Sequence, residues 1–534
     1  VTAAELATVY HTVEHNLSYS SMDCGVKLMQ KIFNDSSIGK KLSCGRTKAE
    51  SLVKNVLAPK AVSQVLLALS GDGKPLPFAI QTDASNKGNC KMFPIAVQFF
   101  TPQNGLLNKN PDESANGIVK CITNSLENVG LSLDNVSAFS ADNTNVNCGV
   151  HNSVYTDLHK KHENLLQGNC CAHIVHNAVR HALNKLSVDI ETVVLKVYGF
   201  FSVSAKRREN LKEFFVFLDV QWRKILQHVT TRWLSLNPAI SRMLQNWAAI
   251  KSYFISIGDD CPKQIQKVLK LAKYADTVED DDLQDTVEVY LLFCNNNLNI
   301  EEAIKKLERN DTTAPELYRS MKCLKDKLNQ RKEDEYYKLN QRKEDEYYGY
   351  LTKQKMTGLS PMEADTAKKE FKEFLNCAIV YLDKWFNFSE PLSLHTASQI
   401  SYTDMENVVQ RLNLIKWLQL HMDNMYDEFP AFKQILHELE KAEDWKQSTP
   451  LKWKTVFEAT DTLPNMLSVL SFVLSIPATI GYVEHIFSHM QNKWYDNCNR
   501  CSTELIKSEL LVSLNFDLSC ANFHTMVLKD RALL

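Results

Sequence analysis

Apolar positions recur every three or four residues along most of this chain, which is the spacing of one face of an α-helix. Residues 116–129, for example, are predicted to form a helix on this basis. Three short runs rich in β-forming residues interrupt the pattern, and two of them end in Asp. These predicted strands are 77–83, 91–101 and 136–142. Strands that alternate with helices indicate an α/β core around a buried sheet.

Beyond about Leu186 the strand pattern disappears, and residues 187–454 are long amphipathic helical stretches separated by polar joints. Two identical copies of KLNQRKEDEYY follow each other in this region, at 327–337 and 338–348. Eleven residues make about three helical turns, so such a duplication keeps the face of a helix in phase. We therefore interpret the repeat as a lengthened surface helix, with a partner contact as the alternative.

Both ends of the chain are predicted to be helical. Residues 1–74 are interpreted as a helical lead-in with a break at Pro59; a DNA-contacting arm is the alternative, because basic residues outnumber acidic ones there. Residues 466–476 form an apolar helix, and residues 502–514 place four large apolar side chains on one face. A terminal helix with such a face must dock on its own core or on a second subunit.

The composition excludes several classes of protein. Of 534 residues, 44% are hydrophobic and 23% are charged, which excludes wholesale disorder. The 61 Lys and Arg balance 63 Asp and Glu, so the net charge is −2 and nucleic acid would have to bind at local patches. The 14 scattered cysteines indicate reduced thiols in the cytosol or nucleus. We find neither a secretory signal pattern in residues 1–30 nor an apolar run fit to span a membrane.

Three acidic residues stand out by position. Asp83 and Asp142 each close a predicted strand, and Glu484 lies in a helical segment far along the chain. Carboxylates from strand ends and a distant helix can converge on two divalent cations, which together activate water in phosphodiester cleavage. The alternative is structural, because an Asp at the end of a strand commonly caps a helix or forms a turn.

Five segments in order along the chain resemble one family. They are QTDAS at 81–85, SADNTN at 140–145, CCAH at 170–173, TRWLS at 231–235, and a C-terminal group comprising 477–488, Asn499-Arg500 and 505–515. Together they resemble the hAT superfamily of cut-and-paste DNA transposases and the host proteins derived from them. The likeness covers roughly residues 75–260 and 455–534.

The resemblance implies a ribonuclease-H-like α/β core interrupted by a large all-α insertion. The core would comprise residues 75–186 and 455–534, with 187–454 as the insertion after the 1–74 lead-in. Asp83, Asp142 and Glu484 would be the catalytic and metal-binding acids, with Mg²⁺ as the cofactor. The C-terminal part of 455–534 would form a homodimer or higher oligomer. The implied partner is DNA in the nucleus, without a membrane or a small-molecule substrate.

Arg232 and Trp233 match the DNA-contacting block of the family. An unpaired base needs an aromatic face on which to stack, and Trp233 would supply it; a core aromatic is the alternative. Nearby basic residues would meet phosphates or form a solvated helix face. These are Lys206, Arg207, Arg208, Arg223 and Lys224.

Two features depart from the family. His485 follows Glu484 where the family usually has Arg, and the sequence holds no Cys₂His₂ spacing of the kind found in the family's upstream DNA-binding zinc finger. Cys170, Cys171 and His173, with the later His176 and His181, supply half of a zinc site without a good second half, so we expect buried thiols and a hydrogen-bonded His there instead.

Two functions follow from these observations, with a third as the distant alternative. The first is a transposase-derived protein that dimerises through its C-terminal region and binds DNA. The second is an active metal-dependent transposase that cleaves and joins DNA ends. A helical scaffold with no nucleic-acid role is the third, and it predicts that Asp83, Asp142 and Glu484 lie far apart.

Overall fold

A computed structural model describes most of the chain. The described residues are 1–70, 75–87, 90–100, 105–108, 115–229, 235–268, 282–297, 314–332, 348–386, 401–441, 463–493, 502–516 and 518–534. They divide into two compact units. The first unit comprises Val1–Cys170, Arg309–Glu316 and Pro391–Leu534, and the second comprises Cys171–Glu308 and Leu317–Glu390.

The first unit contains all six described strands. They are β1 Phe78–Thr82, β2 Ser85–Lys87, β3 Cys90–Phe99, β4 Gly105–Asn108, β5 Val136–Ala141 and β6 Leu166–Asn169. The sheet runs β2-β3-β1-β5-β6, with β4 also paired to β3. β3 is antiparallel to β1, β2 and β4, whereas β1, β5 and β6 are parallel. The sheet is therefore mixed, and the predicted α/β core is confirmed.

The helices of the first unit come from both ends of the chain. Its first group is α1 Thr2–Glu14, α2 Tyr19–Ile32, α3 Ser37–Lys41, α4 Arg46–Leu52, α5 Ala58–Ser70, α6 Ala115–Asn128, α7 Asn145–Cys148 and α8 Val154–Lys161. A π-helical turn, Val53–Leu57, joins α4 to α5. The predicted break at Pro59 is therefore wrong: the chain stays helical from Arg46 to Ser70, and a π-helical turn lies just before the proline where a break was expected.

Helices are the only regular secondary structure among the described residues of the second unit. Its helices are α9 Cys171–Leu183, α10 Ile190–Ser202, α11 Ala205–Phe217, α12 Leu236–Gln245, α13 Trp247–Ile257, α14 Lys263–Val268, α15 Asp282–Asn297, most of α16 Ala314–Lys332, α17 Tyr350–Met356 and α18 Pro361–Trp385. Phe293 stacks on Phe371 at 3.8 Å between ring centroids, and Phe374 meets Phe293 edge-on. In the tandem repeat, Lys327–Lys332 ends α16, and residues 333–347 lie outside the described residues.

The remaining helices return to the first unit. They are α19 Tyr402–Arg411, α20 Leu414–Trp417, α21 Met422–Lys441, α22 Pro464–Ser475, α23 Gly481–Lys493, α24 Thr503–Asn515 and α25 Cys520–Lys529. The insertion was expected at 187–454, whereas the second unit comprises Cys171–Glu308 and Leu317–Glu390. The helices α19, α20 and α21 fall within the expected range but belong to the first unit.

The sheet is covered on both faces. Ala79 and Ala138 belong to a cluster with buried residues of α19, α21 and α22, among them Phe472. Phe78, Ile80 and Phe139 belong to a larger cluster with buried residues of the N-terminal helices and of α24 and α25. Because successive residues of a strand point to opposite faces, small residues on one side and large ones on the other set how closely each helical layer approaches.

Polar contacts hold α22 in place on the sheet. The hydroxyls of Ser137 in β5 and Ser475 at the end of α22 are hydrogen-bonded at 2.7 Å, and both residues are completely buried. Trp417 donates its indole N–H to the carbonyl oxygen of Asp134 at 2.6 Å and meets Phe472 edge-on. The segment that leads to α23 is thereby fixed relative to β5.

The predicted C-terminal apolar face docks on the core of its own unit. Leu505, Ile506, Leu510 and Leu511 of α24 are all buried, and Leu505 and Leu511 belong to the larger cluster. Arg46–Ser70 is the described stretch that is long and apolar enough to pass as a membrane span, a test that core helices of soluble proteins also meet. Its Val53, Leu57 and Leu69 are buried in that same cluster.

Leu505→Ala tests this packing. Removing a buried leucine loses apolar burial and leaves a cavity, so we expect the free energy of unfolding to fall by about 2–5 kcal/mol. Leu528→Ala on α25 is the matched control, because Leu528 is 55% exposed, and we expect little change. Urea unfolding followed by circular dichroism measures both; equal effects of the two variants would contradict the docking of α24.

Candidate active site

The two strand-end aspartates lie side by side because of the register between β1 and β5. Gln81 pairs with Ser140 across these parallel strands, so Asp83 and Asp142, each two residues further on, follow at matching positions. Neighbouring strands lie about 4.8 Å apart, and residues two apart share a face of a sheet. Two carboxylates are therefore presented at the same edge, as the sequence pattern predicted.

Asp83 is held close to the end of its strand. Its Oδ1 accepts a hydrogen bond from the backbone N–H of Ala84 at 2.7 Å. The preceding residue, Thr82, is completely buried and donates its hydroxyl proton to the carbonyl oxygen of Pro94 in β3 at 2.8 Å. β1 therefore stays paired up to the residue before the acid.

Asp142 is held by its own loop. Its Oδ1 accepts hydrogen bonds from the hydroxyl of Thr144 at 2.8 Å and from the side-chain amide of Asn147 at 2.6 Å. The side-chain amide of Asn143 donates to the carbonyl oxygen of Cys170 at 3.3 Å and so joins this loop to the end of β6. Side-chain hydrogen bonds therefore fix both the Asp142 carboxylate and the loop that carries it.

Glu484 comes from the first turn of α23, far along the chain. The backbone N–H of Gly481, where α23 begins, donates to Thr479 Oγ1 at 3.2 Å, and negative charge is favoured at this end of a helix. At the other end, the ammonium of Lys493 donates to the carbonyl oxygen of Val13 at 2.7 Å and to Asn16 Oδ1 at 2.9 Å. Contacts at both ends therefore position the helix.

The side chains of the three acids interact at Asp83. The pKa of Asp83 is raised from its ordinary 3.8 to about 8, chiefly by burial. The negative charges of Glu484 and Asp142 and a hydrogen bond with Glu484 contribute to the rise, and the hydrogen bond from the Ala84 N–H opposes it. Asp142 therefore acts on Asp83 through its charge, and Glu484 is near enough to share a hydrogen bond with it. The expectation that these residues lie far apart, made by the helical-scaffold alternative, does not hold.

The same edge of the sheet is rich in other oxygen atoms. Four buried side-chain oxygens accept no hydrogen bond from the described residues: Gln81 Oε1, Ser140 Oγ, Asn143 Oδ1 and Asn147 Oδ1. Each belongs to the last residues of β1 or β5 or to the loop after β5. Carboxylate and amide oxygens are the ligands that Mg²⁺ and its bound water prefer.

The chemistry of these donors fits a divalent cation, although the acids do not close around one point. Among the described residues, no three His, Cys, Asp or Glu side chains form a group that could hold a single metal ion. The Asp83 carboxyl interacts with both of the other acids. Asp83, Asp142 and Glu484 would hold divalent cations only together with water or substrate oxygens, and the cations would supply activated water for phosphodiester chemistry.

The remaining residues singled out in the sequence lie either outside the described residues or away from the three acids' contacts described above. Arg232, Trp233 and the Asn499-Arg500 pair lie outside the described residues. Cys170 and Cys171 are buried thiols, and the ring of His181 stacks on Tyr381 at 4.9 Å. His485, where the resembled family has Arg, is exposed.

The sequence analysis missed Thr144 and Asn147 as partners of Asp142. The available signal was the run of amide and hydroxyl residues in DNTNVN directly after a strand. Side chains of this type commonly hydrogen-bond within their own loop, so the run by itself does not show which of them reaches the carboxylate.

The chain matches no family model and no curated protein. The case for a function therefore depends on the geometry of the acids and on the motifs in the sequence.

Asp83→Asn tests the electrostatics of the site in metal-free buffer. An acid whose pKa is higher in the folded than in the unfolded chain loses stabilising effect as pH rises from about 4 to about 8. We therefore expect the Asn variant to be more stable than the wild type above pH 8, by on the order of 1–3 kcal/mol, and to match it near pH 4.

Thermal unfolding in EDTA across pH 4–9 measures the difference. Asp35→Asn, which replaces an exposed acid of the same unit, serves as the control and is expected to show no such pH-dependent gain. A wild type that is more stable than Asp83→Asn at high pH would contradict the repulsion among the three acids.

Proposed function

We propose that this chain is a hAT transposase-like protein that uses Asp83, Asp142 and Glu484 for Mg²⁺-dependent cleavage and joining of DNA ends. The observation that carries the proposal is the interaction of Asp83 with both Asp142 and Glu484. These residues belong to segments far apart in the sequence, and the sheet and α23 bring them together. Shifted pKa values in a cluster of acids are typical of functional sites.

The arrangement of the core supports the ribonuclease-H-like part of the proposal. The acids stand at the carboxyl ends of two adjacent parallel strands and at the start of a helix anchored to the same unit. A long helical segment separates the strands from that helix in sequence, as the resemblance implies.

A bound pair of cations would activate water and stabilise the leaving oxygen of a phosphodiester. Three residues of this chain would hold that centre in place: Asp83, which interacts with both other acids, Asp142, which its loop fixes, and Glu484, which lies in the first turn of α23. The sheet beneath them is buried on both faces, so the position of each carboxylate is set by the core.

A second candidate function is a DNA-binding dimer without catalysis. His485 in place of the family's Arg favours it, because the permanently charged guanidinium that an Arg would place beside the acids is missing. The apolar face of α24 is buried in its own unit, so a dimer formed through the C-terminal region would use other side chains of that region. In this case the protein would act in the nucleus by binding DNA.

A nicking assay with Mn²⁺ and supercoiled DNA separates the two functions. We expect the wild type to nick DNA and Asp142→Ala to lose activity by at least about a hundredfold, because one of the charges that would hold the cations is gone. Glu127→Ala removes an exposed acid of α6 in the same unit and should retain activity. A folded wild type with no metal-dependent nicking would rule out the catalytic proposal.

DNA binding is tested separately from catalysis. We expect Trp233→Ala to weaken binding to single-stranded or flapped DNA by about 10- to 100-fold, because a stacked base contributes roughly 1–3 kcal/mol. Asp142→Ala should still bind, and Tyr350→Ala, which removes a 71% exposed aromatic, is the control. Fluorescence anisotropy measures affinity, and light scattering measures the mass of the complex. Unchanged binding by Trp233→Ala would contradict its role, and a monomeric mass would contradict the dimer.

A further inference from the structure

The loop after β5 directs both of its side-chain donors to one oxygen of Asp142. Thr144 and Asn147 donate to Oδ1, at 2.8 and 2.6 Å. The other oxygen, Oδ2, accepts no hydrogen bond from the described residues. Oδ1 of Asp142 is therefore occupied by two hydrogen bonds, and Oδ2 is available to another ligand.

The two donors are not explained by the local helix. Thr144 stands at the N-cap position of α7, where a hydroxyl normally accepts a hydrogen bond from a backbone N–H, yet its side chain makes no cap bond. Its hydroxyl donates to the carboxylate instead. Asn147 is 8% exposed, and α7 turns its amide back onto the acid five residues earlier.

The loop itself is fixed to the sheet. The amide of Asn143 reaches the carbonyl oxygen of Cys170, the residue after β6, at 3.3 Å. Gln167 in β6 donates to the carbonyl oxygen of Cys148 at the end of α7, at 3.2 Å. The donors are thus attached to β6 at both ends of the loop, and they hold Asp142 in one orientation relative to the strand pair β1–β5.

We propose that Thr144 and Asn147 are positioning residues that present Oδ2 of Asp142 to a divalent cation, an inference that rests on the function proposed above. A carboxylate with both donors on Oδ1 keeps one rotamer, so it need not be reordered when the cation binds. Hydrogen bonds to a ligating carboxylate of this kind typically change metal affinity by about 10- to 100-fold when they are removed.

The competing explanation is purely structural: the two hydrogen bonds would only stabilise the loop. The two roles differ in what they change. Loss of a loop-stabilising bond lowers stability with or without metal, whereas loss of a positioning bond weakens metal binding in a protein that is otherwise intact.

The experiment measures Mn²⁺ binding to the full chain in the absence of DNA, by electron paramagnetic resonance of the free ion. Thr144→Val replaces the hydroxyl by a methyl group at an exposed position, and Thr144→Ser restores the donor. Asn147→Leu removes the amide donor with nearly the same shape. Thermal unfolding in EDTA reports the stability of each variant without metal.

We expect Thr144→Val and Asn147→Leu to bind Mn²⁺ about 10- to 100-fold more weakly than the wild type, and Thr144→Ser to bind close to it. Thr144→Val should unfold in EDTA at nearly the wild-type temperature. If Asn147→Leu does not fold, Thr144→Val against Thr144→Ser decides the matter.

Wild-type affinity in Thr144→Val, alongside lost binding in Asp142→Ala, would overturn the positioning role and leave the proposed function standing. Equal loss of binding in Thr144→Val and Thr144→Ser would also overturn it, because the hydroxyl would then not be the cause. Absence of Mn²⁺ binding by the wild type would overturn the metal-dependent function and the positioning role together.

Discussion

The register between β1 and β5 is the constraint on which the rest of the first unit depends. Pairing Gln81 with Ser140 places two aspartates at adjacent strand ends, where their like charges repel. The sheet can sustain this repulsion because large apolar clusters cover both of its faces. The repulsion between carboxylates is thus confined to one edge of an otherwise well-packed core. Unfavourable interactions of this kind are common at functional sites.

The elements whose apolar residues recur at a regular spacing could be predicted from the sequence. β1, β3, β5, α6 and α22 all fall within one or two residues of their expected bounds, because apolar spacing and β-forming residues agree there. β6 was not predicted as a strand, because LQGN is short and polar. Its Gly168 lies opposite Ser140, where a Cβ would come within 3.0 Å of the serine side chain, so close packing selected a residue that disfavours strands.

The candidate site was only partly predictable from local pattern. Two aspartates at strand ends can be identified from the sequence, and a parallel register then brings them together. The arrival of Glu484 could be expected only from the family resemblance, because periodicity says nothing about segments as distant as Ser137 and Ser475, which are 338 residues apart yet hydrogen-bonded. The hydrogen bonds from Thr144 and Asn147 to Asp142 depend on side-chain rotamers, which the spacing of residues in the sequence does not specify.

The chain order of this unit has a consequence for its synthesis. β1 and β5 are synthesised well before α22, which helps to cover the small-residue face of the sheet, and before α23, which carries Glu484. A nascent chain therefore leaves the small-residue face of its sheet, around Ala79 and Ala138, incompletely covered until α22 has been synthesised. A product truncated before α22 would lack Glu484 and with it any cleavage activity that depends on this residue. It would also expose an apolar surface that chaperones can recognise.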